Sequence, residues 1–111
     1  MAKGDFLGEF EQFVLLALIR LGDEAYGMAV RRELAARTAR DVSIGAVYAT
    51  LDRLEDKGLV KSKLSDARDD RGGRAKKCFT ITGAGARALD RSQQALRQML
   101  DGLPPRWNPA R

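Results

Sequence analysis

From Phe6 to Leu21 the apolar residues Phe6, Phe10, Phe13, Val14, Ala17, Leu18 and Leu21 recur at three- and four-residue intervals, with Glu9, Glu11 and Gln12 on the polar side. This spacing predicts an amphipathic helix. Leu15, Leu16 and Ile19 widen the stripe until little of its second half is left to face water. A helix apolar nearly all round needs two surfaces to bury against. One face is therefore expected on the domain core and the other, with Phe10, Leu15, Leu16 and Ile19, on a second copy of the chain. The plain alternative is a central core helix.

Gly22 and Asp23 end that pattern, and a second helix is predicted over Ala25 to Arg37, with Tyr26, Val30 and Leu34 on one face and Arg31 and Arg32 outside it. After the polar connection Thr38 to Asp41 comes the stretch Val42 to Val60. Ser43 is placed to cap its first turn, Val42 and Val47 to close a hydrophobic staple around the cap, and Gly58 to stop the helix. With Val47, Leu51 and Leu54 pointing inward, the open face carries Gly45, Ala49, Asp52 and Arg53, and its first half, Ser43 to Ala49, is nearly featureless. Such a face admits close approach to another surface. Two helices joined by a tight turn, the second Ser-capped and small-faced, follow the helix-turn-helix plan.

Leu59 to Leu64 and Lys76 to Ile81 alternate as strands, the second with Lys77, Phe79 and Ile81 on one face. The polar segment between them, with Gly72 and Gly73, reads as a hairpin tip. This arm, or wing, is expected to carry Arg71, Arg74, Lys76 and Lys77 along one edge, in a field weakened by Asp66, Asp69 and Asp70. Thr82 is placed to cap a last helix running to about Leu100, in which Leu89, Leu96 and Leu103 are seven apart and Met99 and Leu100 fill the seam, as a pairing surface would. Pro104, Pro105 and Pro109 forbid helical continuation, so the tail with Trp107 is expected to be extended.

The fold class predicted is mainly α with a small β-hairpin: a winged helix-turn-helix over residues 1–81, a dimerisation helix over 82–103 and a tail over 104–111. At 111 residues, 44% hydrophobic and 32% charged, the chain fits one globular domain with a modest core. Lys and Arg exceed Asp and Glu by 20 to 15 and the sequence pI is about 9.8, a balance suited to a polyanion. The absence of histidine and the single cysteine, Cys78, exclude an intrachain His/Cys metal cluster, a disulfide framework and a His-based triad. No enzyme activity, metal or cofactor is expected. The apolar run Phe13 to Ile19 is too short for a bilayer span and lacks a signal-peptide cleavage pattern, so the protein is expected in the cytoplasm, away from membranes.

Gly45-Ala46-Val47-Tyr48-Ala49-Thr50-Leu51-Asp52-Arg53-Leu54-Glu55-Asp56-Lys57-Gly58-Leu59-Val60 resembles the Gly-x-Leu-Tyr-Pro-x-Leu-x-Arg-Leu-Glu-x-x-Gly-Leu-Ile pattern of the PadR family of bacterial transcriptional regulators. Gly73-Arg74 through Lys77, Phe79, Ile81 and Thr82 to Gly85 resembles the family's wing and third strand, in the same order and spacing. The likeness runs from about Phe10 to Leu89 and fits the short members with a single C-terminal helix. Ala49 stands where the family has proline, Met28 and Cys78 where aromatic residues are common, and the wing linker is acidic. The resemblance implies a homodimer that represses transcription from a near-palindromic operator in double-stranded DNA, released in many members by a small-molecule effector or another signal.

Candidate DNA contacts are Ser43, Gly45, Ala46, Tyr48 and Ala49 on the recognition helix, Arg53 further along it, Arg71, Arg74, Lys76 and Lys77 on the wing, and the helix start at Tyr26 and Gly27, whose N–H groups suit a phosphate. Each has a plainer reading. Tyr48 also suits half-buried packing, Ser43 a simple cap, Arg53 an ion pair with Asp56, and the basic run a solvated face. Gly83-Ala84-Gly85-Ala86-Arg87-Ala88 imitates a dinucleotide fingerprint but has no chain left for a second parallel strand, so its small residues are read as close helix packing. Candidate dimer contacts are Phe10, Leu15, Leu16, Ile19, Leu89, Leu96, Met99, Leu100 and Leu103. A winged-helix module that docks on another protein through the same small-faced helix is the alternative function.

Overall fold

The structure is a computed structural model, described here for residues 6–64 and 76–107. Its order is α1 (Glu9–Leu21), α2 (Gly27–Thr38), α3 (Ile44–Asp56), β1 (Val60–Leu64), β2 (Lys77–Ile81) and α4 (Gly83–Leu100), with single 3-10 turns at Gly22–Glu24 and Pro105–Trp107. The architecture is mainly helical with one antiparallel hairpin, a winged helix-turn-helix followed by a helix. The turn at Pro105–Trp107, closed by the Trp107 N–H on the Pro104 carbonyl at 2.9 Å, corrects the expectation of an extended tail there. Proline's fixed φ suits the first position of such a turn.

The helices start and stop where their caps dictate. Ala46 N–H donates to Ser43 Oγ at 3.0 Å, and Gly85 N–H donates to Thr82 Oγ1 at 3.0 Å, so both predicted caps are made. Gly22 leaves α1 at φ 62 and Gly58 leaves the α3 region at φ 78, conformations a side chain disfavours. α2 ends on Ala39 at φ 58, where glycine or asparagine is commoner. Its entry is later than the periodicity suggests, because Tyr26 is extended and it and Ala25 serve β2. Phe79 N–H donates to the Ala25 carbonyl at 2.9 Å and Tyr26 bridges Cys78.

Val14, Leu15, Val30, Val47, Leu51 and Leu54 are fully buried and meet Phe79 at the centre, so α1, α2, α3 and the hairpin share one core. Burying each such side chain stabilises the fold by about 1.5–3 kcal/mol. The hairpin pairs Val60 with Ile81 and Ser62 with Phe79, which turns Val60 and Phe79 inward and leaves Lys61, Lys63 and Lys77 exposed. At the front of the chain the phase differs from expectation. Phe6 precedes the helix and is exposed, while Leu7 enters the core and its N–H donates to Ser92 Oγ of α4 at 2.9 Å.

Two side chains absent from the sequence-based candidates, and one glycine, lock the frame. Arg31 Nε donates to the Val42 carbonyl at 2.7 Å and its guanidinium pairs with Asp41, which ties the turn between α2 and α3 to α2. Glu11 accepts from the Gly8 N–H at 3.1 Å and from Lys57 Nζ at 3.0 Å, linking the start of α1 to the end of α3. At the other end, Gly85 lies so close to the Leu59 carbonyl that a Cβ there would fall 2.1 Å from the oxygen. Thr82 completes that joint, its N–H on Leu59 O at 3.0 Å and its hydroxyl donating to Gly58 O at 2.8 Å.

Candidate nucleic-acid interface

The recognition helix α3 turns Val47, Thr50, Leu51 and Leu54 inward, and its 3.6-residue period leaves Gly45, Ala46, Tyr48, Ala49, Asp52 and Arg53 exposed on one continuous face. A Cβ on Gly45 would meet nothing nearer than Ser43 Oγ at 3.9 Å, so among the described residues nothing fills the space above it. What this face offers is access. The only large side chain on its first half is Tyr48, 38% exposed.

The Tyr48 ring leans back across two elements. It lies tilted at 57° to Phe79 of the wing, with centroids 6.5 Å apart, and it covers Gly27 so closely that a Cβ there would be 2.3 Å from Tyr48 Cζ. The packing and the exposed roles of Tyr48 therefore coexist. The same contact revises the reading of Gly27. It is buried beneath the phenol, and it is glycine because the ring needs the room.

Tyr26, one residue earlier, is half-buried and gathers positive charge. Lys76 Nζ lies 4.0 Å from its ring centre, and Arg32 Nη2 donates to its hydroxyl at 2.8 Å. Lys77, exposed, has its ammonium 5.5 Å from the centre of the Phe79 ring. Arg71 and Arg74 lie outside the described residues. Arg53 points along the far half of α3, where its partner is Glu11 at 3.6 Å rather than Asp56, and its Nη2 donates to Thr50 Oγ1 at 3.3 Å. That ion pair spans two helices, so no local i+3 rule could have located it.

Burial alone pushes the Glu11 carboxyl up, but the hydrogen bond from Lys57, the Gly8 N–H and the charges of Lys57 and Arg53 outweigh it and hold it below the usual value. Burial, then the neighbouring charge of Glu24, pushes the Cys78 thiol up against the opposing pull of Lys76. The thiol is thus kept protonated, as befits a strand residue rather than a reactive one.

The residues expected at a dimer surface divide in two. Leu15 at 0% and Leu89 at 6% exposure belong to the chain's own core, which corrects their placement on a free surface. Phe10 and Leu16 are partly buried against that core, and Leu100 and Leu103 are partly buried. Ile19, Leu96 and Met99 stand exposed. Leu103 lies beyond the end of α4 at Leu100, past Gly102 at φ 77, so the expected seven-residue seam stops short of it. Beside Ile19, a groove of about 350 Å³ opens between α1 and α2, floored by Phe13, Leu16, Ala17 and Leu34.

Among the described residues no helix is long and apolar enough to cross a membrane, and no group of His, Cys, Asp and Glu is placed to hold a metal. Residues 15–91 match the family described as the transcriptional regulator PadR-like family. No curated protein matches the chain in sequence. Among solved structures, a PadR family transcription regulator from hypervirulent Clostridium difficile R20291 is 27% identical, with a TM-score of 0.70 over 83% of this chain and 91% of that one. A PadR family transcriptional regulator from Eggerthella lenta DSM 2243 is 29% identical, with a TM-score of 0.64 over 85% of this chain and 81% of that one. This family and fold are those of transcriptional regulators, not enzymes.

Proposed function

The chain belongs to the PadR-like family of DNA-binding transcriptional regulators, and on that premise we propose that it is a homodimeric repressor of a near-palindromic operator. The observation that carries this reading is the exposed, small-faced first half of α3, in a fold whose wing carries exposed Lys61 and Lys63 on one face and exposed Lys77 on the other. A major groove admits a helix, and small side chains at Gly45, Ala46 and Ala49 let the backbone come close. Ser43 and Tyr48 then reach the groove's phosphate walls, with Arg53, held partly by Glu11, at the far end. Arg71, Arg74, Lys76 and Lys77 supply sequence-independent affinity along the backbone.

The exposed Leu96 and Met99 of α4, with Leu100, Leu103 and the apolar surface at Ile19 and Leu16, support pairing with a second copy. A two-fold axis through such a pairing sets two α3 helices in successive major grooves, about 34 Å apart. Repression is by occupancy in the cytoplasm: the bound dimer excludes polymerase. A small-molecule effector that changes the angle between subunits breaks the half-site spacing.

The test is a mobility shift with DNA from the protein's own promoter region, followed by transcription in vitro. Specific binding at low salt is expected. It weakens in Tyr48→Phe combined with Arg74→Ala without loss of the dimer, and transcripts fall when protein is added before polymerase. Absence of specific binding, a monomer at working concentration, or a rise in transcripts overturns the corresponding part of the reading.

A further inference from the structure

From Arg20 to Arg53 every arginine but one has a carboxylate partner among the described residues. Arg20 and Arg37 share Glu33, Arg31 faces Asp41, Arg40 faces Glu9 and Arg53 faces Glu11. Arg32, exposed, forms no ion pair with a carboxylate among the described residues, and Asp23 and Glu24, the nearest acids before it along the chain, are no exception. Its partner is the Tyr26 phenol, through the 2.8 Å hydrogen bond and a guanidinium carbon 5.8 Å from the ring centre. A neutral partner fixes the direction of a charge without cancelling it.

Three further observations give that charge a task. The Tyr26 oxygen accepts from Arg32, which leaves the phenolic O–H as a donor. Lys76 Nζ sits 4.0 Å from the centre of the same ring, so Tyr26 ties α2 to the start of β2 as well as holding Arg32. Tyr26 also bridges Cys78 of the wing and directly precedes Gly27, on which Tyr48 of the recognition helix packs. The cluster therefore adjoins both elements of the DNA-facing surface, where the first helix of a helix-turn-helix crosses the backbone.

We propose that Arg32, aimed by the Tyr26 hydroxyl, binds a DNA phosphate at the junction of α2 and the wing, with the Tyr26 O–H as a second donor. The inference rests on the reading of α3 and the wing as the DNA surface. The planar guanidinium suits phosphate better than an ammonium would, and its preset orientation lowers the entropy lost on binding. This contact carries no sequence information; it positions the protein and adds to affinity.

The full chain is titrated into two labelled duplexes, one of random sequence and one from its own promoter region, across a series of salt concentrations. Arg32→Ala is expected to weaken binding about tenfold on both duplexes. The slope of log affinity against log salt should shrink by about 0.9 per site, hence by about 1.8 for a dimer. Tyr26→Phe keeps the ring and every charge; it should weaken binding with the slope retained, and by less once Arg32 is already alanine, where only its own O–H donor is lost. Melting curves of both variants should match the parent, since Arg32 is exposed and the ring is kept. Unchanged affinity and slope in Arg32→Ala, or a loss confined to the promoter duplex, overturns the proposal. A parent protein that binds both duplexes equally overturns the operator reading alone, because the random duplex still reports the phosphate contact.

Discussion

Between α1 and β1 the inward apolar side chains find all their neighbours within one chain, with Val14, Leu15, Val30, Val47, Leu51 and Leu54 at 0% exposure. In α4 only the first half does so. Gly85, Ala88, Leu89 and Ser92 are buried there, whereas Leu96 and Met99 further on are 58% and 76% exposed. The contrast teaches that the winged helix-turn-helix packs its inward apolar side chains within one chain, while the far half of α4 has apolar surface that nothing among the described residues covers. Stability of the frame and association through α4 should therefore respond to different mutations.

The largest effect on that comparison comes from the core. Leu51→Ala should cost about 2–5 kcal/mol in denaturant unfolding, through lost burial and the cavity left among α1, α2 and Phe79. Leu96→Asp, by contrast, should leave the secondary structure intact and abolish the concentration dependence of melting, as sedimentation would show by a shift to monomer. If Leu96→Asp unfolds the chain as Leu51→Ala does, the two regions are not separable.

Next come two glycines, each without room for a methyl group. Gly85→Ala drives a Cβ into the Leu59 carbonyl, a backbone atom that cannot swing aside, and should cost about 1–3 kcal/mol. Gly27→Ala meets only the end of the Tyr48 ring, which is partly exposed and can turn outward. It should melt close to the parent while weakening DNA binding, because the displaced phenol sits on the exposed face of α3 proposed to enter the groove. Equal losses of stability in both would show that Tyr48 is as fixed as backbone.

The smallest effect is the pH dependence of the Glu11 link. Its carboxyl is held below the usual value of 4.5 in the fold, so its contribution is complete above about that pH and is lost as pH falls through the lowered value. The stability difference between the parent and Glu11→Gln should therefore be present at neutral pH and shrink toward zero on acidification, as paired denaturation curves would show. A difference that persists in acid would assign Glu11 a role other than charge.

Much of this was legible along the chain because it depends on near neighbours. The period of Val47, Leu51 and Leu54 located α3, and the hydroxyls of Ser43 and Thr82 located two helix starts to the residue. What escaped was the pairing of residues far apart. Glu11 meets Lys57 and Arg53, Leu7 meets Ser92, and Tyr48 meets Gly27, and none of these follows from a repeat of 3.6 or 2. The reading of Leu89 as a pairing residue failed for the same reason: a heptad marks a face, but only the packed molecule shows which neighbour takes it. Arg32 carried no signal either, since its distinction lies in the carboxylate partner that Arg20, Arg31, Arg37, Arg40 and Arg53 have and that it lacks among the described residues.

The joint at Gly85 has a mechanical meaning. Thr82 holds the Leu59 and Gly58 carbonyls, and the start of α4 rests on Leu59 with no gap to slide through. α4 cannot swivel about its own first turn without carrying the root of the β1 strand along. Wing and helix thus share one joint, at which the first turn of α4 and the root of β1 are held by hydrogen bonds and by a contact that leaves no room for a methyl group.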